Sequence, residues 1–139
     1  MSQHRLFAYG TLQVPQILAH IVGRALESSP AHLPGFVCFR LVDRVYPGIV
    51  PAAGDQVAGV VYAGLDAGEL DRLDAYEGEL YERQRLRLST LGGPLEAHGY
   101  VLRSEHRHRL SSEAWDLEAF CLDHLASYLA CISLTSRAP

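Results

Sequence analysis

Several stretches of the chain have the apolar and aromatic patterns of β-strands, bounded by glycine and proline. Apolar and polar residues alternate along residues 81–90, and the Leu91-Gly92-Gly93-Pro94 sequence that follows predicts a hairpin with the next stretch. Residues 56–62 are almost continuously apolar, which predicts a strand buried on both faces. The predicted strands are residues 5–9, two strands around a polar loop within residues 24–41, an extended segment at 46–51, and residues 56–62, 81–90 and 95–102.

Three other stretches have apolar residues at the spacing of a helix. The first covers residues 14–22, tolerates a proline in its first turn and is followed by a glycine. The second is predicted to begin after Asp66, with Glu69 placed for a capping box, and to end at Gly78. The third, residues 112–133, is predicted to be one amphipathic C-terminal helix packed on the sheet.

The order of these elements predicts an α+β fold, in which a small mixed β-barrel or sheet is flanked by helices. The chain has 139 residues, of which 48% are hydrophobic. That content is sufficient for one sizeable core, so we expect a single domain over residues 1–139.

The charge and the cysteine content indicate which binding partners and which cellular compartment to expect. The formal net charge is −4, which indicates that there is no basic surface for nucleic acid. The apolar run at residues 57–62 is far too short to span a membrane, and the first five residues lack the apolar stretch of a signal peptide. Cys38, Cys121 and Cys131 are an odd number in apolar surroundings, so we expect reduced core thiols of a cytoplasmic protein. The oligomeric state stays open.

A metal site is not expected. His106 and His108 would share one face of a strand, but Glu105 is the one further ligand nearby. No CxxC pair is present. The Gly-x-Ser-x-Gly nucleophile motif and a phosphate-binding glycine-rich loop are also absent.

A turn at Tyr9-Gly10-Thr11-Leu12 follows the first predicted strand. Glycine lets the backbone approach a ligand closely, and successive N–H groups at the start of a helical turn can hold a carboxylate or a developing oxyanion. A lone Gly-Thr pair is weak evidence for such a site, and the same residues fit a simple strand-to-helix turn.

Glu77 stands at the predicted end of the second helix, just before Gly78. The negative end of the helix dipole and apolar neighbours both disfavour a charged carboxylate there, which raises its pKa. A carboxyl group of that kind suits general acid–base catalysis near neutral pH. Alternatively, Glu77, Glu79 or Glu82 serves only to solvate the helix end.

Tyr81, Arg83 and Tyr100 would lie near Glu77 if the predicted hairpin folds over the helix end. Tyrosine hydroxyls could bind polar atoms of a substrate, and arginine could pair with a carboxylate. Alternatively, the tyrosines only pack, and Arg83 pairs with Glu79 or Glu82.

In combination, these segments resemble the gamma-glutamylcyclotransferase-like family, including its AIG2-like branch. The resemblance covers most of the chain, from about residue 6 to residue 102. The matching segments are Phe7-Ala8-Tyr9-Gly10-Thr11-Leu12, Tyr46-Pro47 with Ile49-Val50-Pro51, Gly59-Val60-Val61-Tyr62, Leu73-Asp74-Ala75-Tyr76-Glu77-Gly78 with Tyr81 and Arg83, and Gly99-Tyr100-Val101-Leu102.

The resemblance implies a small β-barrel fold with a cavity beside the Tyr-Gly-Thr-Leu loop. It implies that Glu77 is the catalytic glutamate, and that Tyr9, Gly10, Thr11, Leu12 and Tyr100 bind substrate. The implied reaction releases 5-oxoproline from a small gamma-glutamyl amide, through attack by the substrate's own α-amine, and requires no metal or organic cofactor. A gamma-glutamylamine cyclotransferase, a non-catalytic binding module that keeps the pocket, and a purely structural domain are the alternatives.

Overall fold

Five β-strands form the central element of the protein. The computed structural model describes the backbone of residues 3–135 and the side chains of residues 3–132, so the predicted domain of residues 1–139 extends past both ends of the described range. The strands close into a barrel in the order β1-β3-β2-β4-β5, which confirms the predicted α+β fold class. They are β1 (His4–Ala8), β2 (Ser28–Arg40), β3 (Pro47–Leu65), β4 (Tyr81–Thr90) and β5 (Gly93–Leu102).

Two strands, β2 and β3, replace the four shorter segments that the sequence predicts between residues 24 and 62. They pair antiparallel along most of their length, from Ser28 opposite Tyr62 to Arg40 opposite Pro47. The register shifts between Pro34 and Phe36. The sequence Pro34-Gly35 suggested a loop. A bulge accommodates these two residues within one strand, because it leaves one residue unpaired and bends the strand.

The hairpin of β4 and β5 closes the barrel. Thr90 pairs with Gly93, so the turn is the two residues between them rather than the predicted four. β5 returns to β1 in parallel, with Leu6 opposite His98. The barrel is tight where β3 passes β1, because a Cβ added at Gly59 would lie 2.3 Å from the carbonyl oxygen of Ala8.

Two helices contact each other and share a hydrophobic core with residues of the barrel strands, and both were predicted at nearly these bounds. They are α1 (Pro15–Val22) and α2 (Ala67–Glu77). Asp66 and Glu69 form the predicted capping box at the start of α2. Glu69 also accepts from Nε of Arg24 at 2.6 Å, and this ion pair joins α2 to the segment that follows α1.

The prediction of one helix over residues 112–133 is wrong. The segment contains two helices, α3 (Leu117–Asp123) and α4 (Leu125–Thr135), separated at His124. Residues 112–116 are not helical. Trp115 explains part of the difference. Its indole N–H donates to the carbonyl of Val45 at 2.7 Å. This contact with a distant segment holds the chain at Trp115 outside a helix.

Two burial predictions are also corrected. Cys121 is exposed, and Cys38 and Cys131 are only partly buried, so the prediction that these three cysteines are core residues is wrong. Ala58 in β3 is exposed, so residues 56–62 are not buried on both faces. Among residues 3–135, no helix has the length and apolar content needed to cross a bilayer.

Candidate active site

A cavity of about 40 Å³ lies where the first strand leaves the barrel and α2 ends. It brings together the Tyr9–Leu12 loop and Glu77, which are far apart in the sequence. If the chain were a purely structural domain, Glu77 would be expected to lie far from Gly10. Instead, both residues line this cavity. The lining residues are Phe7, Ala8, Tyr9, Gly10, Thr11, Leu12, Tyr46, Pro47, Tyr76, Glu77, Tyr81, Tyr100 and Tyr128.

The loop on one side of the cavity contains a short 3-10 turn, Thr11–Gln13, with Gly10 at its N-cap position. Its first N–H groups have no partner inside the turn, since a helical turn leaves its initial donors unpaired. Gly10 is closely packed, because an added Cβ would lie 3.0 Å from the ring of Pro47, which would have to shift slightly. The side chain of Gln13 donates to the carbonyl of Tyr9 at 2.8 Å and holds the loop in shape.

Glu77 is the last residue of α2, and Gly78 ends the helix with a φ of 75°. The Glu77 side chain lines the cavity and is only partly accessible. Burial, and then the negative charge of nearby Asp74, raise the pKa of Glu77 to about 8. The sequence predicted a raised pKa from the helix end and the apolar neighbours, but the contribution of Asp74 requires the three-dimensional arrangement.

Asp74 is held one turn before Glu77 by two partners from the hairpin. The hydroxyl of Tyr100 donates to Oδ1 of Asp74 at 2.7 Å. Nε of Arg83 lies 3.4 Å from the same oxygen. The alternative pairing of Arg83 with Glu79 or Glu82 is therefore incorrect. Within the described residues, Nη1 of Arg83 is buried without a hydrogen-bond partner.

Tyrosine hydroxyls brace the cavity wall by donating to backbone carbonyls. Tyr9 donates to Tyr100 at 2.6 Å, Tyr81 donates to Pro47 at 2.5 Å, and Tyr62 donates to Leu12 at 2.8 Å. Burial raises the pKa of Tyr9 and of Tyr81, so both stay neutral donors near neutral pH. These bonds tie β1, β3, β4 and β5 together around the loop.

Tyr76 and Tyr128 complete the wall, and sequence reasoning assigned neither to the site. Their hydroxyls hydrogen-bond to each other, and the hydroxyl of Tyr76 lies 3.5 Å from Oγ1 of Thr11. The position of Tyr76 next to Glu77 was an available signal. Tyr128 is on α4, where its apolar neighbours indicated only packing.

The histidines at residues 106 and 108 lie in a 3-10 turn, Ser104–Arg109. Nδ1 of His106 accepts from Nε of Arg109 at 3.3 Å. In the part of the chain that the structure describes, no three His, Cys, Asp or Glu residues are grouped so that they could hold a metal ion.

Comparison with known proteins identifies the family of the chain. A family model described as gamma-glutamyl cyclotransferase, AIG2-like, matches residues 6–117. The chain belongs to this AIG2-like gamma-glutamyl cyclotransferase family. The matched region contains the Tyr9–Leu12 loop, Glu77 and Tyr100, whereas Tyr128 lies beyond it.

Relatives of the AIG2-like family occur in Arabidopsis thaliana. AIG2-like protein D is 30% identical over 132 residues, covering 93% of this chain and 86% of the relative. AIG2-like protein A is 45% identical over 83 residues, which is 60% of this chain but only 50% of that relative's length. A solution structure of another Arabidopsis thaliana protein has 28% sequence identity and a TM-score of 0.74, with 100% of this chain and 97% of that chain covered.

Proposed function

We propose that the protein releases 5-oxoproline from small gamma-glutamyl amides, with Glu77 as the general base and acid. The observation that carries the proposal is the presence of Glu77, with a pKa raised to about 8, in one cavity with the backbone of the Tyr9–Leu12 loop. Membership of the AIG2-like gamma-glutamyl cyclotransferase family supports the same reaction class.

The first step is a proton transfer from the substrate's α-ammonium group to the carboxylate of Glu77. The α-ammonium group of such a substrate has a pKa above neutrality, and the pKa of Glu77 is about 8. The transfer to Glu77 therefore costs much less than the transfer to a carboxylate with an ordinary pKa of 4.5.

The second step forms the ring. The neutral α-amine attacks the γ-carbonyl carbon of the same molecule, so a carbon–nitrogen bond forms and the carbonyl oxygen becomes an oxyanion. The initial N–H groups of the Thr11–Gln13 turn are suited to stabilise that oxyanion. Because nucleophile and electrophile belong to one substrate, orientation in the cavity supplies much of the acceleration.

The third step breaks the original amide bond. The protonated carboxyl group of Glu77 gives its proton to the leaving nitrogen, and the ring nitrogen loses a second proton as the lactam forms. The leaving amine takes up a proton in water. The proton count balances with no metal or organic cofactor.

Substitution of Glu77 by glutamine tests the proposal. Glu77→Gln keeps the size of the side chain but removes the base, so we expect 5-oxoproline release to fall by about 100-fold or more. Purified protein would be incubated with gamma-glutamyl dipeptides, glutathione and gamma-glutamylamines, and 5-oxoproline would be quantified.

Glu79→Gln is the matched control, because Glu79 is the neighbouring exposed carboxylate. We expect this variant to keep nearly full activity. Full activity of a folded Glu77→Gln variant would refute the mechanism, and binding of 5-oxoproline without turnover of any substrate would favour a non-catalytic module. We further propose that the reaction takes place in the cytoplasm, where thiols such as Cys38 and Cys121 stay reduced.

A further inference from the structure

One wall of the Glu77 cavity comes from the C-terminal helix α4. The ring of Tyr128 lines the cavity and is only 5% exposed. Its hydroxyl bonds to that of Tyr76, the residue directly before Glu77. Tyr76 in turn approaches Thr11 in the loop at 3.5 Å. Tyr128 therefore closes the space between the loop and the end of α2.

The cavity is small for the substrate class proposed above. Its volume of about 40 Å³ is room for the centres of about three water molecules. A gamma-glutamyl amide has several times as many non-hydrogen atoms. The cavity is not closed, so a molecule of that size would lie partly outside it, and the lining residues would limit which part of the molecule fits beside Glu77.

Most of the wall is held by the barrel and by α2. Tyr9 and Tyr81 are each fixed by a hydrogen bond to a backbone carbonyl of a barrel strand. Tyr128 differs, because its hydroxyl bonds to the side chains of Tyr76 and Thr11 and to no backbone carbonyl among the described contacts. Its ring packs by its edge against Phe120, with the centroids 5.5 Å apart. Another polar contact of α4 joins the ring of His20 to the carbonyl of Ile132, at 3.1 Å.

We propose that Tyr128 is a specificity-determining residue, and that its ring limits the size of the leaving group that can lie beside Glu77. This inference rests on the proposed function. It assigns a role in substrate selection to the C-terminal segment, which lies beyond the residues matched by the family model.

A series of gamma-glutamyl amides with leaving groups of increasing size tests the role of Tyr128. The amides of methylamine, butylamine and benzylamine would be compared by kcat/KM in the wild-type protein and in Tyr128→Ala. We expect Tyr128→Ala to raise the ratio of benzylamide to methylamide turnover by about tenfold or more, because the ring no longer restricts the space. Tyr128→Phe, which keeps the ring, should leave that ratio near the wild-type value.

Leu122→Ala is the control for changes in the C-terminal segment, because Leu122 on α3 is 85% exposed. Thermal unfolding would show which variants fold. Tyr128→Leu provides a second variant, which removes the aromatic ring but keeps an apolar side chain for packing. An unchanged ratio in a folded Tyr128→Ala or Tyr128→Leu protein would overturn the proposal.

Binding separates this proposal from the catalytic one. The same three amides would be titrated by calorimetry into Glu77→Gln and into Glu77→Gln/Tyr128→Ala, so that affinity is measured without turnover. A shift of affinity toward the benzylamide in the double variant supports the role of Tyr128 even if turnover is absent. If the three amides bind to both variants with the same relative affinities, the role of Tyr128 is overturned and the catalytic proposal is not. If none of the amides binds to either variant, both proposals are overturned.

Discussion

At the scale of the residue, Glu77 combines a functional property with a cost in stability. Its pKa of about 8 in the folded protein is above the ordinary value of 4.5. The unfolded chain therefore releases the Glu77 proton at lower pH than the folded protein does. Between pH 4.5 and about 8, the unfolded state holds fewer protons, so the free energy of unfolding decreases as the pH rises.

The Glu77→Gln variant should remove this decrease. At pH 9 we expect it to be more stable than the wild-type protein, by on the order of 2–4 kcal/mol, and at pH 5 the difference should be small. Urea unfolding at the two pH values measures it. Glu79→Gln, on the exposed neighbour, should show no such dependence. An equal effect of Glu77→Gln at both pH values would mean that the carboxyl group has an ordinary pKa.

At the scale of the element, local signals predicted α1 and α2 well. The capping residues Asp66 and Glu69 and the stop at Gly78 are adjacent to the helix that they define. The long strands β2 and β3 were missed, because the bulge at Pro34–Phe36 depends on pairing with a partner strand. The break before α3 depends on the bond from Trp115 to Val45, across 70 residues of sequence.

The loop element gives a prediction for Gly10. In Gly10→Ala the new methyl group would lie 3.0 Å from Cδ and Cγ of Pro47, so the loop or the start of β3 must shift. We expect kcat/KM for 5-oxoproline release to fall by about tenfold, with a loss of stability of about 1 kcal/mol. Steady-state kinetics and thermal unfolding measure the two effects.

Gly92→Ala is the control for Gly10→Ala. The nearest atom to an added Cβ at Gly92 is Oγ1 of Thr90, at 3.8 Å, which is an ordinary contact. We expect this variant to retain wild-type activity. A Gly10→Ala protein with unchanged kcat/KM would show that the loop position is not important for the reaction.

At the scale of the whole molecule, the barrel brings distant segments to one cavity. Tyr9 follows β1, Pro47 begins β3, Glu77 ends α2 and Tyr100 lies on β5. The ordered motifs indicated this grouping through the resemblance to a family. Local patterns alone left each segment with an ordinary structural explanation, because the proximity of the segments is a property of the closed barrel.

Two features of the assembled site had no counterpart in the sequence reasoning. Asp74, held by Tyr100 and Arg83, adds to the raised pKa of Glu77. Tyr128 lies on α4, which is outside the residues matched by the family model. Both contributions depend on side chains from different elements meeting in space, which spacing along a chain does not reveal.

The pH dependence of 5-oxoproline release tests the central claim most directly. Glu77 must be deprotonated to accept the α-ammonium proton, so kcat/KM should increase with pH up to about 8. The acid limb of the profile should shift to lower pH in Asp74→Asn, because a neighbouring negative charge is removed. A wild-type kcat/KM that is constant between pH 5.5 and 7.5, or an acid limb in Asp74→Asn identical to that of the wild type, would contradict the assignment of Glu77 as the base.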